Sequence, residues 1–461
     1  MYTFILDIGK TNLKGSVLDD NGQTQWSRSS PNIGCRDDAY DYPCIDVETI
    51  WDWFKSALKE AAGQFAIHAI NISTHGACAV LLSQEDELLF PVMDYEVDHL
   101  EAGGSTYPRP AYAQTQSPDL PGGLNLGRQI WWLKEAYPDR FSQLGTLLLY
   151  PQYWVWKLTG RAVTEVTSLG CHTDLWEPLN RCYSSLVNDL GIEHALPAMV
   201  DGFDSVGNVR QTLARELGLP ESCAVYPGVH DSNASLARYL VADLDAPFTV
   251  ISTGTWVIAM ALGNPGDSLM EARDMLANVD VCGNPVPCAR FMGGREFEMI
   301  CKKSGANVND AITLGDIQSI VSERVFALPP FESDSGPFLH SNYAGELTGE
   351  VSSGVSLATV YLALMMDYEL DLLNAHGPIL FGSASLKNPI LCQLISQLRP
   401  HQPVYMSNDH ASTVMGCWCL TRWGKPLPES FDDFDISAKA HIQSLSEYRD
   451  AWRKRAGCGD V

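Results

Sequence analysis

Residues 4–18, FILDIGKTNLKGSVL, and residues 248–262, FTVISTGTWVIAMAL, follow one plan: an apolar run, a short turn around a glycine, and a second apolar run. In the first copy, Tyr2 to Ile8 reads as a buried strand, Leu13 to Leu18 as its hairpin partner, and Asn21-Gly22 as a further turn. In the second, Phe248 to Ser252 and Trp256 to Leu262 are strands on either side of Thr253-Gly254-Thr255. What recurs is a supersecondary unit, not a sequence.

Outward from the first copy, Asp46 to Ala62 reads as a helix capped by Asp46. Val47, Ile50, Trp51, Phe54, Leu58 and Ala61 form its apolar stripe. Ala66 to Ser73 and Ala77 to Ser83 read as strands, and Gln129 to Tyr137 and Gln152 to Leu158 as helices. Between them, Asp98 to Gly127 is rich in Pro, Gly, Ser and Tyr and lacks periodicity, as a lid or binding loop does. Outward from the second copy come a long helix Val355 to His376, a strand Pro378 to Phe381, a helix Asn388 to Leu398, a strand Val404 to Met406 and a helix Ala411 to Trp423. Strands alternating with helices make an α/β chain. Two halves of one design predict domains at 1–243 and 244–461, a hinge near Ala242 to Pro247, and a ligand cleft between the halves.

The 461 residues carry 31 Lys and Arg against 56 Asp and Glu, a net charge of −25. Such a field repels nucleic acid and anionic membranes, so neither is an expected partner. Phosphate must then be held locally, by backbone N–H groups, a metal ion and chosen cations. The 13 cysteines include no CxxC pair, which argues against a zinc site or disulfide framework and for a reducing, cytoplasmic location. MYTFILDIGK has no basic n-region and no cleavage site, so it does not read as a signal peptide. No apolar stretch is long enough to span a bilayer.

Four stretches carry chemistry. Asp7-Ile8-Gly9-Lys10-Thr11 with Lys14 puts a carboxylate, a glycine turn, a hydroxyl and two cations at a strand end, which suits phosphate and Mg²⁺; a plain hairpin turn fits the same letters. Ser252-Thr253-Gly254-Thr255 offers hydroxyls around glycine at the matching place in the second half. Tyr226-Pro227-Gly228-Val229-His230-Asp231 runs a strand into a carboxylate at a helix start. Asp231 is either a cap for the helix Asn233 to Leu240 or the base that phosphoryl transfer to a hydroxyl needs. Phe381-Gly382-Ser383-Ala384 with Asn388 provides small residues against which a flat adenine could lie, or a tight strand-to-helix turn.

In this order and at these separations the four stretches resemble the FGGY carbohydrate kinases, of the larger class that contains actin and hexokinase. Gln129-Ile130-Trp131-Trp132-Leu133-Lys134-Glu135 is similar to that family's K-x-L-W-L-K-E helix. Gly228 to Asp231 is similar to its G-x-x-D block, and Thr74-His75-Gly76 to its G-Q-x-H-G turn. The resemblance implies two actin-like (ribonuclease H-like) lobes with an interlobe cleft, and ATP-dependent phosphorylation of a ketose such as a ketopentose or 6-deoxyketohexose. It implies ATP and Mg²⁺ as cofactors and Asp231 as catalytic base. Thr74, His75, Asp94 and Asp231 become sugar contacts, and Asp7 the metal-positioning residue. Asp7, Gly9, Lys10, Thr11, Lys14, Gly254, Thr255, Gly382, Ser383 and Asn388 become nucleotide contacts. A homodimer is the base-rate assembly.

Departures from the family pattern are visible too. Lys10 stands where Thr or Ser is usual, and Glu96, in Met93-Asp94-Tyr95-Glu96, stands where Arg is common. Arg295 faces either the cleft or a surface ion partner. The rival readings are a polyol kinase of the same fold and a non-catalytic actin-fold binding protein. A Rossmann oxidoreductase is disfavoured because no GxGxxG follows the first strand.

Overall fold

The computed structural model describes the chain except residues 38, 98–99, 101–105, 242–246, 267–268, 333–334, 340–343, 383–387, 408–411, 429–433 and 459–461. It divides into two compact units. The first comprises Met1–Leu244, Ala277–Asn284 and Ala411–Phe431; the second comprises Asp245–Leu276, Pro285–His410 and Asp432–Val461. The C-terminal half of the chain thus returns two segments to the first unit. The expected hinge lies almost wholly outside the described residues.

In the first unit the strands run in the order Gly207–Asn208, Ala224–Val225, Ile67–Thr74, Tyr2–Ile8, Asn12–Leu18, Thr24–Pro31, with Val229–His230 also paired to Ile67–Thr74. Tyr2–Ile8 is antiparallel to Asn12–Leu18 and parallel to Ile67–Thr74. Both faces are covered, which is why its strands read as continuous apolar runs. Phe4, Leu6 and Ile8 pack with the stripe of helix Val47–Ala62 on one side. Ile5 packs with helices Asp231–Val241 and Ser412–Leu420 on the other. Asp46 caps the first of these helices as expected, its carboxylate accepting from the Thr49 N–H at 3.0 Å. The two helices on the far side cross at Gly416, where a Cβ would lie 1.7 Å from the Ala234 carbonyl oxygen. Only glycine permits that approach.

The second unit repeats the plan further than its sequence shows. Phe248–Thr253 is antiparallel to Val257–Leu262 and parallel to Ile379–Phe381. Pro285–Phe291 lies outside Val257–Leu262, as Thr24–Pro31 lies outside Asn12–Leu18. The long helix predicted over Val355 to His376 is Gly354–Leu372, and every residue of it except Asp371 is buried. It is the central helix of this core, so Asp367 and Glu369 are buried with it. Asp367 is compensated by Arg399 at 2.7 Å and Arg453 at 2.6 Å. Among the described residues, no helix is long and apolar enough to cross a membrane.

Candidate active site

Register fixes the site of the first unit. Ile8 pairs with Thr74, and Thr74 with His230, so three parallel strands end in line. The next residue of each is Gly9, His75 and Asp231. C-terminal strand ends are where α/β sheets gather ligands. Asp7 sits on one strand flanking Ile67–Thr74 and Asp231 directly follows the other, so they stand roughly two strand spacings, ~10 Å, apart. Their charges meet: burial first, then the charge of Asp231, pushes the Asp7 carboxyl up to about 6, with Lys14 opposing. Lys14 lies directly across the hairpin from Asp7.

Asp231 is the first residue of helix Asp231–Val241, whereas its cap reading had the helix begin at Asn233. Its Oδ1 accepts the Ser232 N–H at 2.6 Å and the Ser232 hydroxyl at 3.2 Å, and lies 3.3 Å from His230 Nε2. Its Oδ2 takes no hydrogen bond from any described residue, and the side chain is 35% exposed. One oxygen is therefore fixed and the other is available. The turn before it is held from behind: Gln152 Nε2 donates to the Pro227 and Gly228 carbonyls, each at 2.9 Å. Gly228 has φ +74°, and a Cβ there would meet Pro151 at 2.8 Å.

Beside the strand ends, His75 is buried between the rings of Tyr95 and Tyr150, at 5.6 and 5.2 Å. Its Nδ1 faces the Gly76 carbonyl at 3.0 Å, so Nδ1 carries the hydrogen and Nε2 presents a lone pair. Burial keeps the ring neutral by lowering its pKa. Nε2 is buried with no hydrogen-bond partner, the state expected of an acceptor waiting for a ligand hydroxyl. Thr74 is fully buried and its hydroxyl donates to the His75 carbonyl at 2.9 Å; it shapes the turn.

Lys10, expected at phosphate, instead binds both oxygens of Asp94 and lies 3.2 Å from Glu96. Its ammonium also lies 4.8 Å from the centre of the Tyr95 ring. The two departures from the family pattern are thus partners: a cation at 10 and an anion at 96. Thr11 is exposed at the turn tip. Gly9 brings the turn in tightly, its N–H donating to the Asn12 carbonyl at 2.9 Å.

In the second unit, Gly254 and Thr255 are exposed at the turn after Phe248–Thr253. Helix Gly293–Ser304 begins against them: Gly294 N–H donates to the Thr255 carbonyl at 3.1 Å. A Cβ on Gly294 would lie 2.4 Å from the Gly254 oxygen. Two glycines thus bring a helix N-terminus onto an uncharged hydroxyl turn, a geometry that suits phosphate. Gly382 N–H donates to the Ile251 carbonyl at 3.0 Å, fixing the start of the next turn. Ser383 lies outside the described residues. Asn388 caps helix Pro389–Leu398 by accepting from Leu391 N–H at 3.3 Å, and donates to Thr359 at 3.1 Å. Arg295 pairs with Glu332 at 3.3 Å and is 59% exposed.

Several residues at the centre had no role in the sequence reading: Gln152, Glu165, Thr167, Cys171 and Asn233. Thr167 Oγ1 accepts the His230 N–H at 3.1 Å and donates to Glu165 at 2.5 Å. Glu165 is buried, and burial pushes its carboxyl up to about 7. For Gln152, Glu165 and Thr167 the available signal was a polar residue among the apolar ones of Leu147–Val155 and Val163–Leu169, each a polar group that burial obliges to find a partner.

Residues 2–237 match the N-terminal domain of the FGGY family of carbohydrate kinases, and residues 245–429 match the carbohydrate kinase FGGY C-terminal domain. The chain is similar to the L-fuculokinase of Salmonella typhi, 26% identical over 274 residues, which are 57% of each chain. It is 24% identical to the probable L-xylulose kinase of Pasteurella multocida over 56% of this chain and 55% of that one. The chain spans little more than half the length of these curated relatives. A solved carbohydrate kinase from Novosphingobium aromaticivorans superposes with TM-score 0.90 at 33% identity, over 100% of this chain and 99% of the other. A xylulose kinase structure from Lactobacillus acidophilus, at 16% identity, TM-score 0.80 and 99% coverage of both chains, shares the fold. The architecture is the two-domain, actin-like (ribonuclease H-like) fold of these structures. The chain belongs to the FGGY family of carbohydrate kinases.

Proposed function

We propose that the protein phosphorylates a hydroxyl group of a neutral ketose, a ketopentose or 6-deoxyketohexose, using ATP with Mg²⁺. The observation that carries this reading is Asp231, at a strand end, with Oδ1 fixed by Ser232 and Oδ2 open. A carboxylate held at one oxygen can orient a hydroxyl and receive its proton at the other. In phosphoryl transfer that proton leaves late, so positioning matters more than basic strength.

The other residues divide the work. His75 Nε2 accepts from a sugar hydroxyl, and the Lys10–Asp94–Glu96 cluster flanks the same ligand. Asp7, Asp94, Glu96 and Asp231 outnumber Lys10 and Lys14, which disfavours acidic sugars and favours uncharged ones. Magnesium-bound ATP, when present, supplies the phosphoryl group and the positive charge that screens it. The residues fit it. Asp7 is a carboxyl raised to about 6 by burial and a neighbouring anion, so a cation beside it favours its ionised form. One such carboxylate suits Mg²⁺, which keeps most of its ligands as water and phosphate. Gly9, Thr11 and Lys14 are the phosphate contacts we expect of the first unit, and Gly254 and Thr255 those we expect of the second. Gly382, Ser383 and the Asn388-capped turn form the adenosine wall.

The 13 cysteines, all free, suit a reducing cytoplasm, and a homodimer is the assembly we expect. A coupled ADP-release screen over ketopentoses, deoxyketohexoses, aldonates and polyols tests the function. We expect turnover with a neutral ketose. Turnover confined to a polyol or an aldonate overturns the substrate class, and no sugar-dependent ADP release overturns the activity.

A further inference from the structure

We propose that His230 is a positioning residue for Asp231, and that Cys171 completes the device by engaging the same ring nitrogen. Asp231 is then set by a Cys171–His230–Asp231 chain and not by its own helix turn alone. This rests on Asp231 being the base for the acceptor hydroxyl.

The chain of hydrogen bonds fixes the tautomer. Asn233 Nδ2 donates to the Val279 carbonyl, which turns its Oδ1 toward His230 Nδ1, at 3.0 Å. An amide oxygen only accepts, so Nδ1 must carry a hydrogen. Nε2 is left to face two groups, Cys171 Sγ at 3.6 Å and Asp231 Oδ1 at 3.3 Å. The His230 ring is buried, and Gly76 closes over it: a Cβ there would lie 2.8 Å from Nε2.

In the neutral ring Nε2 accepts the Cys171 S–H. When that bond breaks, the proton passes to Nε2, leaving a thiolate beside an imidazolium. The N–H so formed is shared with the Asp231 carboxylate. The titratable groups around the ring are Cys171, His172 and Glu165 from the preceding segment and Asp231 from its own. Burial pushes the His230 pKa down, but the charges of Cys171 and Asp231 outweigh it and raise it. Burial pushes the Cys171 thiol up, and the two histidines outweigh that and lower it. With Ser232 and His230 both on Oδ1, the carboxylate is prevented from turning, and Oδ2 alone meets the substrate.

The test uses the full chain, with C171S, H230Q, C171S/H230Q and D231N variants. One readout needs no sugar: the ultraviolet thiolate band in the difference spectrum of wild type minus C171S at neutral pH. We expect the band in wild type and its weakening in H230Q and in D231N, since His172 also lies beside the thiol. The second readout is steady-state kinetics on the ketose that the screen identifies. We expect H230Q to lower kcat about tenfold or more with KM for ATP and sugar little changed, and C171S to lower it less. The double variant should be no worse than H230Q, since the residues act as a unit. Folded H230Q and C171S with kcat within about twofold of wild type overturn the proposal. So do losses that multiply in the double variant, or that track a lowered melting temperature. If H230Q does not fold, C171S decides: no thiolate band together with unchanged kcat overturns it. If wild type turns over no sugar, the functional reading fails, and the thiolate band in wild type and D231N still decides whether the proton chain exists.

Discussion

Between Ile8 and Asn12 the chain sets Lys10 in a turn flanked by Asp7 and Lys14; between Thr253 and Val257 it sets Gly254, Thr255 and Trp256 in a turn with no charge. The backbones around them match: an antiparallel hairpin, a third strand outside it, and a parallel neighbour. The difference lies in what surrounds each turn. The first meets strand ends that carry His75 and Asp231. The second meets a helix N-terminus that reaches it through Gly294. One copy of the unit presents ionisable side chains at its strand ends, and the other presents backbone N–H groups and hydroxyls. Two buried acids of the first unit, Asp7 and Glu165, adjoin its strand ends, whereas Glu296 and Glu369 lie against the core of the second.

The sharpest break of this comparison is Asp231→Asn. If the first unit holds the chemistry, turnover should fall by roughly 10²–10⁴, while calorimetry finds ATP binding unchanged. An Asn variant that turns over like wild type would move the chemistry away from this unit.

Glu296→Gln tests the second unit's use of buried acid. Burial pushes Glu296 up to about 7, and it accepts the Tyr361 hydroxyl at 2.7 Å. A carboxyl raised in the folded state stabilises fully below its unfolded value of 4.5, and that contribution is lost as pH rises through about 7. The wild-type protein should therefore lose on the order of 2–3 kcal/mol of stability from this group between pH 5 and pH 8. Urea unfolding at the two pH values should show a smaller loss in the Gln variant. Equal losses would mean that the proton on Glu296 does not matter to folding.

Gly294→Ala should come next in size. The added methyl would sit 2.4 Å from the Gly254 oxygen, and relieving such a clash costs about 1–3 kcal/mol. The helix must draw back from the turn, so KM for ATP should rise by roughly one to two powers of ten while the sugar KM holds. A rise in the sugar KM alone would show that the two turns are not divided as the comparison states.

Much of this was legible in the letters. Tyr2–Ile8 has the bounds its apolar run predicts, and Asp46 caps the helix it precedes, because both signals are local. Thr24–Pro31 carries little apolar pattern because it is an edge strand with one solvated face, whereas Pro285–Phe291 is mostly buried but is interrupted by Pro285 and Pro287, which read as strand breakers. Asp7, His75 and Asp231 could be named from their turns. The network behind Asp231 could not, because Thr167, which holds Glu165, and Cys171 reach His230 from 63 and 59 residues away in the chain. Lys10 shows the limit most plainly: nothing near a lysine in a glycine turn tells that Asp94, 84 residues away, pairs with it.

That residue supplies the smallest and most discriminating test. If Lys10 serves the sugar side of the first unit, Lys10→Met should leave KM for ATP alone and alter the KM for the ketose. The ammonium is a quarter exposed and shared between Asp94 and Glu96. A partly screened pair is worth about 0–1 kcal/mol, so the change should be no more than roughly fivefold. Removing the cation also leaves Asp94 and Glu96 facing each other. Lys10→Met combined with Glu96→Gln should therefore recover part of the loss, since the two substitutions share one partner. If instead Lys10→Met raises the KM for ATP and the second substitution does nothing, Lys10 is a phosphate ligand after all. The charged turn would then do the same work as its uncharged counterpart, by a different means.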